Sequence, residues 1–106
     1  MTYQLIVLYK HPDDPQAFDA YYESTHAPLA ATIPGLLSYT AMHPGPDEHG
    51  TTPLEYLTAT LVFEDVGSFG AAMSSDEGRA AAADMANFAT GGATMLTGEV
   101  STYVAV

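Results

Sequence analysis

The sequence has no cysteine and only two basic residues, Lys10 and Arg79, among its 106 residues. Without cysteine the chain cannot form a disulfide, a thiolate nucleophile, a zinc ribbon or an iron–sulfur cluster. Its thirteen acidic residues give a net charge of −11, so it cannot assemble the basic surface that nucleic acids and anionic membranes require. The charge balance favours a neutral or weakly polar small molecule as ligand.

Long hydrophobic runs are also absent. No apolar stretch approaches the roughly 18 residues of a membrane span. The opening MTYQLIVLYK lacks the basic and long apolar regions of a signal peptide, so we expect a cytoplasmic protein. Hydrophobic residues make up 47% of the chain, enough for one core, and we expect a single domain over residues 1–106.

Apolar patterning and turn residues predict the elements in the order β-α-β, loop, β-α-β. Asp14 and Pro15 suit the start of the first helix, and Pro28 predicts its end at about Ala27. A capping box of Ser74 and Glu77 predicts the start of the last helix. The predicted strands are Tyr3 to Tyr9, Leu36 to Met42, Leu54 to Phe63 and Thr94 to Val104, and helices are predicted from Pro15 to about Ala27, Val66 to Met73, and Ser74 to about Ala89.

This order is typical of an α+β fold of the ferredoxin-like βαββαβ type, with both helical segments on one face of an antiparallel sheet. Neither face of this sheet is fully polar, because Ile6 and Leu8 on the first strand alternate with Leu5, Val7 and Tyr9. On the third strand, one face is predicted to carry Leu57, Ala59, Leu61 and Phe63, and the other to carry Leu54, Tyr56, Thr58, Thr60 and Val62. An exposed semi-apolar sheet favours association, so we expect a homodimer packed through the sheet faces.

The stretch AFDAYYESTHAPL places Phe18, Tyr22 and His26 four residues apart. On an α-helix each step of four turns by about 40°, so all three share one stripe. An imidazole in an apolar stripe needs a hydrogen-bond partner. His26 is therefore either an acid–base group at a ligand pocket, a residue that only lines the pocket, or a structural cap of the helix end.

Four stretches together resemble the EthD family of the dimeric α+β barrel superfamily. They are VLYKHPDD, AFDAYYESTHAPL, IPGLLSY and SDEGRAAAADMANFA, and the resemblance covers nearly the whole chain. It implies a ferredoxin-like protomer that forms a dimeric barrel. It maps His26 onto the family's HxP histidine. It implies function only loosely, because related barrels include cofactor-free monooxygenases, cyclases and isomerases.

The predicted site follows from these residues. His26 is the predicted acid–base group, and Tyr22 is predicted to orient it or to bond a substrate carbonyl. Asn87 is predicted to bind a carbonyl or to hold the tautomer of His26. The predicted substrate-binding residues are Phe18, Tyr39, Asn87 and Phe88. We predict no metal site and no cofactor, since neither metal-ligand spacing nor a phosphate-binding loop occurs.

Two functions remain open at this point. The first is a cofactor-free oxygenation, isomerisation or cyclisation that proceeds by proton transfer on a neutral aromatic or polyketide-like molecule. The second is a non-catalytic ligand-binding or accessory protein of a degradation or biosynthesis pathway, in which His26 is structural.

Overall fold

The computed structural model describes residues 1–105. It contains the strands and helices in the predicted order, and the strands form a four-stranded antiparallel sheet of order β2-β3-β1-β4. The strands are β1 Tyr3–Lys10, β2 Leu36–Met42, β3 Glu55–Phe63 and β4 Ala93–Glu99. The helices are α1 Pro15–Tyr21, a π-helical turn Tyr22–His26, α2 Ala27–Ala30, α3 Val66–Ser74, α4 Asp76–Asp84 and a 3-10 turn Met85–Asn87. The α+β, ferredoxin-like prediction is confirmed.

The core lies between the helices and one face of the sheet. Alternate residues of β1 and β3 are buried there, as expected for strands with side chains of period two. The buried strand residues are Leu5, Val7, Tyr9, Leu57, Ala59, Leu61 and Phe63. Tyr9 and Phe63 are the largest of the almost fully buried side chains, and they lie on the two central strands.

We call the opposite face of the sheet the open face, because no helix within residues 1–105 covers it. The strand register places Ile6 beside both Thr60 and Leu96, and Leu8 beside both Thr58 and Thr94. Leu96 is 52% exposed. An apolar patch of this kind on a protomer is typical of an interface.

Three predicted boundaries are wrong. The last helix is capped by Ser75, not Ser74, because the Ser75 hydroxyl accepts the Gly78 N–H at 3.0 Å. The last strand ends at Glu99, since β1 offers pairing only as far as Tyr3, and Tyr103 is exposed beyond it. The first helical segment continues through Pro28 to Ala30.

Tyr56 also departs from its predicted face. The pairing of β1 with β3 is irregular between Tyr9 and Lys10, so the alternation shifts there. The Tyr56 hydroxyl thereby donates to both carboxylate oxygens of Asp19 on α1, at 2.9 Å each. A strand irregularity of this kind re-aims one side chain, and no feature of the sequence predicts it.

Gly78 provides a test of the helix packing. A Cβ at Gly78 would lie 2.1 Å from the carbonyl oxygen of Ala72, whereas a Cβ at Gly70 on α3 would meet nothing within 4 Å. We expect Gly78→Ala to lower the free energy of unfolding by about 3 kcal/mol, the upper end of overpacking costs. Gly70→Ala is the matched control and should raise it by about 0.5–1 kcal/mol through helix propensity. Urea unfolding measures both, and equal effects of the two variants would contradict the close approach of α3 and α4.

Candidate active site

The π-helical turn places His26 in the core. In a regular α-helix the N–H of residue 28 would donate to the carbonyl of Ser24, but proline has no N–H. The chain widens instead, and the N–H of Ala27 donates to the carbonyl of Tyr22, five residues earlier. The helix therefore continues past Pro28, and Tyr22 and His26 both lie inside the protein. Turns of this type occur frequently at functional sites.

His26 forms a buried pair with Asp84 at the end of α4. Its Nδ1 lies 2.9 Å from Oδ2 of Asp84, and its side chain is only 6% exposed. An ionised carboxylate can only accept hydrogen bonds, so Nδ1 carries the proton and donates it. In the neutral imidazole Nε2 is then a free acceptor. The imidazole ring that carries this Nε2 lines a cavity.

Asp84 receives two further hydrogen bonds, both on its other oxygen. The Tyr21 hydroxyl donates to Oδ1 at 2.5 Å, and the side-chain amide of Asn87 donates to Oδ1 at 3.0 Å. Burial raises the pKa of Asp84, but the hydrogen bonds from Tyr21, Asn87 and His26 together outweigh it and hold the pKa below its ordinary value. The carboxylate therefore stays ionised at neutral pH. The stabilisation it contributes is present above the ordinary carboxyl pKa and is lost as the pH falls through the lowered one.

The sequence analysis did not identify Asp84. A signal for it exists: the buried residues of α4 are Gly78, Ala81 and Asp84, spaced three apart. This is the apolar stripe of the helix, and a carboxylate within it requires a partner. The spacing alone could not identify the partner of Asp84, because His26 lies 58 residues away in the sequence.

The cavity lies between the helices and the sheet and has a volume of about 40 Å³. Most of its wall is aliphatic, with contributions from Leu5, Val7, Ile33 and Leu61. Its polar groups are the ring of His26 and the side chains of three tyrosines, Tyr9, Tyr22 and Tyr39. Burial raises the pKa of all three tyrosines, so they remain neutral phenols at neutral pH.

The predicted site residues fall into two groups in the structure. Tyr22 lies beside His26, with ring centroids 5.3 Å apart, but its hydroxyl bonds the hydroxyl of Tyr39 at 2.5 Å. The ring of Phe88 packs against His26, with centroids 4.5 Å apart. Asn87 reaches His26 indirectly, through Asp84. These four predicted residues therefore surround or support the imidazole, and their roles in binding or catalysis stay predictions.

Phe18 packs against this group but does not reach the cavity. Its buried ring stacks on Tyr22 at an interplanar angle of 8° and lies 5.3 Å from the ring of Phe88, centroid to centroid. Within residues 1–105 no three histidine or acidic side chains cluster as metal ligands would, and no helix there is long and apolar enough to cross a membrane.

The part of the chain that carries this site matches a known protein family. The EthD domain model matches residues 10–92 of the chain. The chain belongs to the EthD family. The matched range contains His26, Asp84 and Asn87, so the whole polar group around the imidazole lies inside the EthD domain.

Three known proteins place this EthD domain among its relatives. An uncharacterized 11.0 kDa protein from the thcB–thcC intergenic region of Rhodococcus erythropolis is 45% identical over 94 residues, which cover 89% of this chain and 90% of that protein. The crystal structure of an EthD family protein from Bacillus halodurans is 38% identical, with a TM-score of 0.89 over 95% of this chain and 100% of the other. SnoaB from Streptomyces nogalater, a cofactor-independent oxygenase, is 16% identical, with a TM-score of 0.60 over 99% of this chain and 95% of its own. The last likeness shows the fold alone.

Proposed function

We propose that this EthD domain transfers protons to and from a neutral small molecule, with His26 as the acid–base group. The observation that carries the proposal is the buried pair of His26 and Asp84 beside a cavity. The carboxylate fixes the proton on Nδ1 and leaves Nε2 as the acceptor. A neutral imidazole that donates from one nitrogen can accept a proton at the other, so it can both remove and return a proton.

Each supporting residue has a role in this proposal. Asp84 orients the ring and stabilises the imidazolium that forms when Nε2 takes a proton. Tyr21 and Asn87 hold Asp84 in place. Tyr22 and Tyr39 are neutral phenols at the cavity and supply hydrogen bonds to a substrate oxygen. The aliphatic wall lowers the local dielectric and strengthens these interactions.

Proton removal from carbon next to a carbonyl gives an enolate, and proton removal from an aromatic hydroxyl gives a phenolate that has carbanion character on its ring. Isomerisation, cyclisation and oxygenation by molecular oxygen can all begin from such an anion, and its formation requires only an acid–base group of the chain. SnoaB, with the same fold, is a cofactor-independent oxygenase.

We propose further that the protein acts in the cytoplasm as a homodimer joined through the open face. The alternative, a binding protein in which His26 is structural, is favoured by the small volume of the cavity.

Hydrogen–deuterium exchange in D₂O tests the proposal without knowledge of the natural substrate. The panel consists of acetophenone, 1-indanone and 1-naphthol, and NMR follows the carbon-bound protons. We expect the wild-type protein to accelerate exchange with at least one of them. His26→Asn should reduce that acceleration by about 10²–10⁴-fold, the usual contribution of general acid–base catalysis.

His26→Asn is preferable to His26→Leu as the test variant. The asparagine amide places an N–H near the position of Nδ1, so Asp84 keeps a donor while Nε2 is lost. A leucine would leave the buried carboxylate short of one hydrogen bond and would destabilise the fold by about 1–3 kcal/mol. His49→Asn, in the exposed loop, is the control and should leave exchange unchanged. Exchange no faster than in buffer for all three compounds would favour the binding protein instead.

A further inference from the structure

The cavity at His26 is too small for a whole aromatic substrate. A volume of about 40 Å³ holds roughly three water-sized groups. That is enough for a carbonyl or hydroxyl group and its neighbouring carbon, but not for a ring. The remainder of any aromatic substrate must lie outside this cavity.

A larger concavity lies on the other side of Tyr22, between the first helical segment and the strands β2 and β3. We call it the outer groove, and its volume is about 440 Å³. Small-molecule sites span about 300–1,000 Å³. The residues that line the outer groove are Phe18, Asp19, Tyr22, Glu23, Ala27, Ala41, Met42, His43 and Leu57.

The first helical segment borders both the outer groove and the cavity. Of these two spaces, Phe18 lines the groove and not the cavity, whereas His26 lines the cavity and not the groove. Tyr22, one turn from each, lines both. Tyr22 therefore stands between the two spaces, and its hydroxyl is hydrogen-bonded to that of Tyr39.

The strands β2 and β3 also border both the groove and the cavity. On β3, Leu57 lines the groove and Ala59 lines the cavity. On β2, Ala41 lines the groove and Tyr39 lines the cavity. Residues two apart on a strand point to the same face, so groove and cavity share one continuous floor.

We propose that the outer groove binds the apolar body of the substrate and that Tyr22 moves aside to admit its reactive group to His26. This inference rests on the proposed function, because it assigns the remainder of the substrate of the His26 site. A substrate oxygen can replace the Tyr39 hydroxyl as the partner of Tyr22, so opening does not leave a buried hydroxyl without a hydrogen bond.

The rim of the groove restricts the substrate class. Asp19 and Glu23 both stand on it, and Tyr56 fixes Asp19 through its two hydrogen bonds. His43 is the one basic group of the rim, and its Nε2 lies 3.6 Å from Asp19. Two carboxylates on a chain of net charge −11 disfavour an anionic ligand. The substrate is therefore an elongated neutral molecule with an apolar ring system and one small oxygen-bearing end.

Methyl NMR with acetophenone as probe tests the connection of the two spaces. The δ-methyl groups of Leu57 report on the groove, and the ε-methyl group of Met85 reports on the cavity. We expect acetophenone to shift both signals in the wild-type protein with one dissociation constant. Benzoate, which has a similar size but a negative charge, should shift neither at the same concentrations. A response of only one reporter, or of neither, or equal binding of benzoate, would overturn the inference.

Variants of Tyr22 test the partition itself. Tyr22→Phe removes the hydroxyl that bonds Tyr39 and should make entry into the cavity about fivefold faster, the equivalent of about 1 kcal/mol for one hydrogen bond. The line width of the Met85 signal measures this rate. Tyr103→Phe, at an exposed position, is the control and should leave the rate unchanged. An unchanged rate in Tyr22→Phe would show that Tyr22 is not the partition.

The two proposals fail separately in these experiments. If acetophenone shifts both reporters but none of the three compounds exchanges faster than in buffer, the groove assignment stands and the proton-transfer function is wrong. If exchange is accelerated while Leu57 does not respond, the function stands and the groove assignment is wrong.

Discussion

Replacement of Asp84 by asparagine is expected to move the ring proton of His26 from Nδ1 to Nε2. Tyr21 and Asn87 both donate to one side of the Asp84 carboxylate, so the amide oxygen of the asparagine takes that side. The amide NH₂ group then faces Nδ1 of His26, which must become an acceptor. Nε2 acquires the proton and can no longer take one from a substrate.

Long-range ¹H–¹⁵N NMR spectra distinguish the two imidazole tautomers directly and need no substrate. We expect the Nδ1–H form in the wild-type protein and the Nε2–H form in Asp84→Asn. The acceleration of acetophenone exchange should fall by about 10²–10⁴-fold in the variant. Asp76→Asn, on the first turn of the same helix, is the matched control and should keep the wild-type tautomer. An Nε2–H form already present in the wild type would refute the assignment of Nε2 as the base.

Wild-type protein is expected to be a dimer at micromolar concentration, with a mass twice the 11.2 kDa of the chain. Leu96 stands beside Ile6 on the open face, so a dimer joined there would bury both. A specific interface typically buries more than about 1,000 Å² in total, and an unpaired charge at its centre costs several kcal/mol. Leu96→Asp should therefore give a monomer by size-exclusion chromatography with light scattering.

Two controls separate this effect from other causes. Leu96→Lys should also give a monomer, which would exclude a simple increase in negative charge as the cause. Val66→Asp places a carboxylate at an exposed apolar residue at the start of α3, away from the sheet, and should remain a dimer. A monomeric wild type, or a dimer that survives both Leu96 variants, would contradict association through the open face.

The sequence by itself determined the order of the elements and the faces of the central strands. Alternation on β1 and β3 predicted which side chains share a face, because strand side chains point to opposite faces in turn, and the helices cover the face of Leu5, Val7 and Leu61. Asp14 predicted the start of the first helix, since its side chain can accept a backbone N–H of the first turn, and it accepts that of Ala17 at 3.2 Å. The spacing of Tyr22 and His26 predicted that they lie together on a buried surface. These are local properties, readable from neighbouring residues.

Only the tertiary structure decided the partner of His26. Asp84 lies far along the chain, and the two meet because α4 packs beside the first helical segment on the same face of the sheet. The same holds for the hydrogen bond between Tyr22 and Tyr39, which lie 17 residues apart in the sequence. The π-helical turn depends on Pro28 together with the surrounding core, since a proline alone is also compatible with a helix end. Hydrogen bonds between distant residues follow from how the elements pack, and local spacing carries no information about that packing.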